Sequence, residues 1–154
     1  MTHIKESIQI VATPRTVWDY VQDYHRRAEW DVTTARFEPL NADHVDKDVR
    51  VFVRTSGLSS MEYEAVYASY DPYKVSAVKM TRAIKNVPFI SSAGSWRYND
   101  LGNGRTEFTM TFEYELKQGV IWHWLDRFFI EPAMRRGIRA SLRNLQDQFA
   151  NRRS

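Results

Sequence analysis

Near the N-terminus Ile4, Ile8 and Ile10 alternate with Lys5, Ser7 and Gln9, the two-residue period of a strand with one buried face. Glu6 falls on that apolar face, which places it near the rim. Thr13-Pro14 then supplies a hydroxyl N-cap and a proline at the first helical position. Val17, Trp18 and Val21 form the apolar stripe of a helix that ends near Asp23. A second short helix is predicted over 25–29, just before Trp30-Asp31.

Strand patterns follow over 33–40, 49–55, 62–70, 74–81, 94–100 and 105–116. Asp71-Pro72 and Leu101-Gly102-Asn103-Gly104 are turn signals. In the last strand Phe108, Met110, Phe112, Tyr114 and Leu116 share one face, and Thr109, Thr111, Glu113 and Glu115 the other. Trp96 and Tyr98 alternate likewise. The stretch 84–92 reads as a loop, and its Val87-Pro88-Phe89-Ile90 either packs locally or forms a lid. From 119 to 150 the period becomes helical. Val120, Trp124, Phe128, Ile138, Leu142, Leu145 and Phe149 fall on one stripe, with Arg136, Arg139 and Arg143 on or near the opposite side. Pro132 should kink or interrupt this helix. Consecutive strands joined by short turns, with segregated helices, define an α+β domain over 1–150, followed by a frayed tail at 151–154.

Composition narrows the function classes. Among the 154 residues there is no cysteine, which excludes disulfides, thiolate metal sites and cysteine nucleophiles and fits a reducing, cytoplasmic location. The polar, alternating N-terminus does not read as a signal peptide, and no apolar run approaches the roughly 18 residues of a membrane span. Net charge is +3, but from Lys117 to Ser154 eight basic residues face three acidic ones. A solvated arginine face accounts for this better than nucleic-acid binding, because the aromatics alternate on a buried sheet face instead of interleaving with exposed cations. His3, His25, His44 and His123 lack metal-ligand spacing, and there is no phosphate loop or nucleophile elbow, so neither metal nor cofactor is expected.

The order of these elements resembles the START/Bet v 1-like superfamily, and within it the polyketide cyclase/dehydrase-like group. The resemblance rests on residues 8–12, Thr13-Pro14 with Val17-Trp18, Trp30-Asp31 and Tyr70-Asp71-Pro72. It continues through the hairpin from Gly94-Ser95-Trp96 to Phe112 and the terminal Ser141-Leu142-Arg143-Asn144-Leu145. It implies a helix-grip fold: a curved antiparallel sheet of about seven strands, two short helices and one long C-terminal helix enclosing a cavity. Asp46-Lys47-Asp48 departs from the family, whose members often carry glycine before the next strand. The superfamily includes lipid and hormone carriers and aromatase/cyclases, and it has no universal catalytic motif.

Within that frame Tyr67, Trp96, Tyr98, Phe108, Met110 and Phe112 on the sheet are the expected ligand-binding residues, together with Trp30, Trp124 and Phe128 from the helices. Tyr63 is a candidate catalytic phenol. Arg127, Glu131 and Arg135, spaced i, i+4, i+8, either face a wet cavity as anion-binding and base groups or form a solvent ladder once Pro132 turns the helix. His123 is an edge residue or a general acid–base at the cavity mouth. Trp122, Leu125 and Phe129 fall off the core stripe and suggest a homodimer or membrane contact. Two functions follow. One is a cyclase, aromatase or dehydratase acting on an aromatic or polyketide intermediate, with its basic helix toward an acidic acyl-carrier protein. The other is a non-enzymatic carrier or sensor of a hydrophobic ligand such as a lipid or quinone.

Overall fold

The computed structural model describes residues 1–57 and 60–151. Of the expected frayed tail, Asn151 closes the last helix and 152–154 lie outside the described residues. Strand β1 (Thr2–Ile10) leads into α1 (Pro14–Val21), whose first turn is capped by Thr13 Oγ1 accepting from the Thr16 amide at 3.3 Å. Asp23 Oδ1 accepts from the His25 amide at 3.1 Å and starts a 3₁₀ turn (Tyr24–Arg26) that runs into α2 (Arg27–Trp30). The chain then forms β2 (Thr34–Pro39), β3 (Arg50–Thr55), β4 (Glu62–Asp71), β5 (Val75–Lys85), β6 (Phe89–Gly102) and β7 (Arg105–Leu116). These make one antiparallel sheet of order β1-β7-β6-β5-β4-β3-β2, in which β1 crosses to pair with β7. The sheet, two short helices and a long C-terminal helix form an α+β helix-grip fold.

Two local expectations change. The stretch 84–92 is not a loop: β5 and β6 extend through most of it, leaving a turn at 86–88 with Asn86 at φ 57°. Phe89 pairs with Leu116 and buries its ring against Phe112 and Tyr114 at 6.0 and 4.7 Å, so it is core and not lid. The small residues of 91–93 hide the start of this strand from a propensity reading, while ladder hydrogen bonds to β7 create it. Within the Asp46-Lys47-Asp48 stretch, Asp48 takes φ 66°, a left-handed conformation that Asp tolerates better than most residues.

The terminal helix is interrupted, as Pro132 requires. Its segments are α3 (Val120–Leu125), a π turn (Asp126–Ile130) and α4 (Glu131–Asn151). Proline has no N–H to donate to the carbonyl four residues back, and its ring crowds that carbonyl; the wider π turn absorbs both problems. It also shifts the helix phase. Ile138, Leu142, Leu145 and Phe149 pack on the sheet, whereas Val120, Trp124 and Phe128 are 73%, 55% and 55% exposed. The predicted continuous stripe is thus two stripes on different faces. Glu6 meets α4 at the rim, accepting from Arg135 at 2.9 Å and Arg139 at 3.1 Å.

Leu145 is fully buried in the main core with Trp30, Phe108 and Leu142, so Leu145→Ala should cost about 2–5 kcal/mol. Exposed Arg143→Ala should stay within about 0.5 kcal/mol of wild type. Urea denaturation of both variants measures the difference.

Candidate functional site

Between the sheet and the start of α4 lies a cavity of about 490 Å³. Small side chains make it. Ser92 and Gly94 of β6 line it from the sheet, and Ala133 and Gly137 of α4 from the helix, in positions where large residues would fill the space. A Cβ on Gly137 would lie 2.7 Å from Thr33 Cγ2, so glycine lets α4 draw close to the segment after α2. Trp96, Met110, Phe112, Met80, Met134 and Ile138 supply apolar wall. Exposed Val32, Ser56, Gly57 and Ala133 mark the mouth.

One end of this apolar space is charged. Arg27, in the first turn of α2, donates from Nε to Asp31 Oδ2 at 2.7 Å, and the two side chains are 11% and 1% exposed. Asp31 also accepts from the Thr33 amide (2.9 Å), the Thr33 hydroxyl (2.6 Å), the Thr34 hydroxyl (2.9 Å) and the Ser141 hydroxyl (3.2 Å). Burial pushes its carboxyl group up, but the Arg27 charge and the hydrogen bonds from Thr33, Arg27 and Thr34 outweigh it, and the pKa falls below its ordinary value. The carboxylate stays ionised with its acceptor sites taken. The guanidinium carbon of Arg27 sits 4.6 Å from the Phe37 ring centroid, 4.9 Å from Trp96 and 5.2 Å from Trp30. Among the described residues its Nη1 and Nη2 have no hydrogen-bond partner. Trp96 Nε1 is likewise buried without an acceptor.

Tyr63 lines the same cavity, within electrostatic reach of Arg27 and Asp31, and burial pushes its phenol up to about 12. At neutral pH it is a proton donor and not a base. The strongest polar groups available here, Arg27 and Tyr63, therefore donate. Asp31 is committed, and all four histidines are exposed and outside the lining. Such a site can hold an anionic or strongly polarised oxygen, but it offers no evident general base. Among the described residues no group of three acidic or histidine side chains is placed to hold a metal ion.

Of the residues singled out from sequence, Tyr63, Trp96, Met110 and Phe112 line the cavity together. Tyr67 lies in a second core cluster with Phe37 and Val51, behind the wall. Tyr98 packs on Trp18 and Phe108 at 5.0 and 5.2 Å beneath α1, and its hydroxyl accepts from Gln22 at 2.8 Å. Phe108 and Trp30 are wholly buried core. Trp124 and Phe128 are outside the cavity because the π turn rotates them into solvent, where their rings stack at 5.3 Å. Arg135 is tied to Glu131 at 3.1 Å and to Glu6, while Arg127 is exposed, so this ladder lies outside the lining. Sequence reasoning missed Arg27 and Asp31 as a pair. Their i, i+4 spacing and the hydroxyls of Thr33 and Thr34 just after were the available signal.

A seven-stranded sheet gripping a long helix across a cavity is the architecture of the START/Bet v 1-like superfamily. Residues 1–150 match the family described as polyketide cyclase / dehydrase and lipid transport, and the chain belongs to it. A solved protein from Thermus thermophilus superposes with a TM-score of 0.80 at 15% identity, over 99% of this chain and 100% of its own. The Zhui aromatase/cyclase of Streptomyces sp. R1128 gives 0.77 at 17% identity, over 99% and 96%. An uncharacterized membrane protein of Bacillus subtilis (strain 168), YndG, is 21% identical over 124 residues, which are 77% of this chain. The match spans only 46% of that relative's length.

Asp31 supplies a pH test. Its folded pKa lies below the ordinary 3.8, so its stabilisation is complete above that value and is lost as pH falls through the folded pKa. Asp31→Asn, which leaves the Arg27 charge uncompensated, should cost about 3–5 kcal/mol at neutral pH. The gap to wild type should narrow on acidification below 3.8, as followed by urea denaturation across pH.

Proposed function

We propose that the cavity binds an apolar, aromatic or polyketide-type molecule through one anionic or enolised oxygen held at Arg27. On such a ligand the protein acts as a cyclase, aromatase or dehydratase. The supporting observation is that Arg27, with Nη1 and Nη2 unpaired among the described residues, and Tyr63, within its electrostatic reach, line one largely apolar space together. Family membership and the likeness to an aromatase/cyclase support the same reading.

The chemistry follows from donors without a base. A β-diketone carbon is acidic enough to lose its proton to water, and the enolate oxygen left behind is the anion that Arg27 attracts. Held in one folded conformer, the enolate carbon attacks a second carbonyl carbon of the same molecule and a carbon–carbon bond forms. The new alkoxide takes a hydrogen bond and then a proton from Tyr63 or water, and loss of water from the aldol gives the unsaturated ring. On this reading an acidic carrier protein delivers the substrate to the basic side of α4. The same lack of a free carboxylate or imidazole in the lining favours a second reading, a carrier or sensor that holds an anionic apolar ligand unchanged.

Two paired probes test the site. Replacing Arg27 and Asp31 together by Gln and Asn removes both charges without leaving one ion unpaired. The double variant should bind the anionic dye anilinonaphthalene sulfonate about tenfold or more weakly, and neutral phenylnaphthylamine within about twofold of wild type, read by fluorescence titration. Equal loss of both dyes, or of neither, removes Arg27 as an anion site.

A poly-β-ketone thioester separates the two functions. Cyclised product should form faster with wild-type protein than in buffer, and Tyr63→Phe should slow it about tenfold to a hundredfold. Product at the buffer rate, with the anionic dye still bound, leaves the carrier reading.

A further inference from the structure

The segment ahead of α4 displays apolar surface that the cavity does not use. Val120, Ile121, Trp124, Leu125, Phe128 and Phe129 are 73%, 74%, 55%, 37%, 55% and 67% exposed. They occupy two adjacent i, i+4, i+8 rows, so they form one continuous face. The opposite side anchors the segment: Asp126 accepts from the Thr2 hydroxyl at 2.6 Å and the Tyr114 hydroxyl at 2.5 Å. The outward face is therefore held in place, and burying so many large side chains against a partner is favourable.

Charge identifies the partner. The acidic group of the segment, Asp126, is committed to Thr2 and Tyr114, and Glu131, at the start of α4, to Arg135. Arg127 is exposed with no partner among the described residues, and Lys117, exposed ahead of α3, lies 6.0 Å from the Trp122 ring centroid. A second copy would bring the same unbalanced cations to the contact. An anionic lipid surface would bring phosphates, with acyl chains to receive the rings and aliphatic side chains. Tryptophan beside cationic side chains suits the bilayer interface. Among the described residues no helix is long and apolar enough to cross a membrane, so the contact would lie on the surface. Phe129 precedes Ala133, at the cavity mouth, by one helical turn.

The geometry points to Val120–Phe129 as a docking face for an anionic bilayer surface, set beside the entrance of the cavity. This does not depend on the reaction, or on which ligand the cavity holds.

Flotation of the full chain with phosphatidylcholine vesicles, with and without phosphatidylglycerol, is the test. Binding is expected to the phosphatidylglycerol vesicles, to weaken with salt, and to be accompanied by quenching of tryptophan emission by brominated lipid. Trp124→Ser with Phe129→Ser should abolish flotation, and Arg127→Glu should weaken it about fivefold or more. Unchanged circular dichroism and melting midpoint show that these surface variants still fold. No flotation, equal flotation with both vesicle types, or flotation that survives the Trp124 and Phe129 changes overturns the proposal. A dimer that Trp124→Ser dissociates, without flotation of the wild type, also overturns it and makes a second copy the occupant.

Discussion

A single buried carboxylate organises this molecule's interior. Asp31 accepts hydrogen bonds from α2, from the segment entering β2 and from Ser141 of α4. It ties α2 to the long helix, together with Asn144 donating to the Glu29 and Trp30 carbonyls and the Val32 amide donating to Ser141 Oγ. Removing two charges from water is costly, so the pair persists only because nearly every acceptor site on the carboxylate is filled. The consequence is chemical. With Nε spent on Asp31, the far side of the Arg27 guanidinium is left as an oriented pair of donors at the end of an apolar cavity.

The cavity has an equally plain cause. Sheet and helix are kept apart by Trp96, Met110, Phe112, Met134 and Ile138, and between these supports Ser92, Gly94, Ala133 and Gly137 contribute little volume. Gly137 serves a second purpose, because a Cβ there would lie 2.7 Å from Thr33 Cγ2, so Thr33, which donates to Asp31, or α4 would have to shift. Anion site and void thus depend on the same helix position.

The periodic elements were legible in the sequence. Alternation in β1 and β7, the Thr13-Pro14 cap and the helical stripe from Ile138 to Phe149 rest on local rules, and the structure obeys them. The start of β6 at 89–93 was not legible, since its serines and alanine carry no apolar pattern and pairing with β7 makes it extended. The exposure of Trp124 and Phe128 was lost for a different reason. Pro132 announces an interruption, but the phase change of a π turn depends on how the helix relaxes. Tyr63, Trp96, Met110 and Phe112 were found because a strand face is a two-residue pattern. Arg27 was missed because a charged residue in a short helix ordinarily points to water, and only the tertiary packing of Phe37, Trp30 and Trp96 encloses it.

The account turns on a fixed guanidinium that receives an anion inside an apolar space. A crystal structure of the protein with an aromatic carboxylate such as naphthoate addresses it directly. The predicted result is a ring against Trp96, Met110 and Phe112, with carboxylate oxygens at hydrogen-bond distance from Arg27 Nη1 and Nη2 and the Asp31 pair intact. A ring lodged in the cavity with its carboxylate turned toward the mouth, or a cavity collapsed around Gly94 and Gly137 with no ligand in it, would contradict the account.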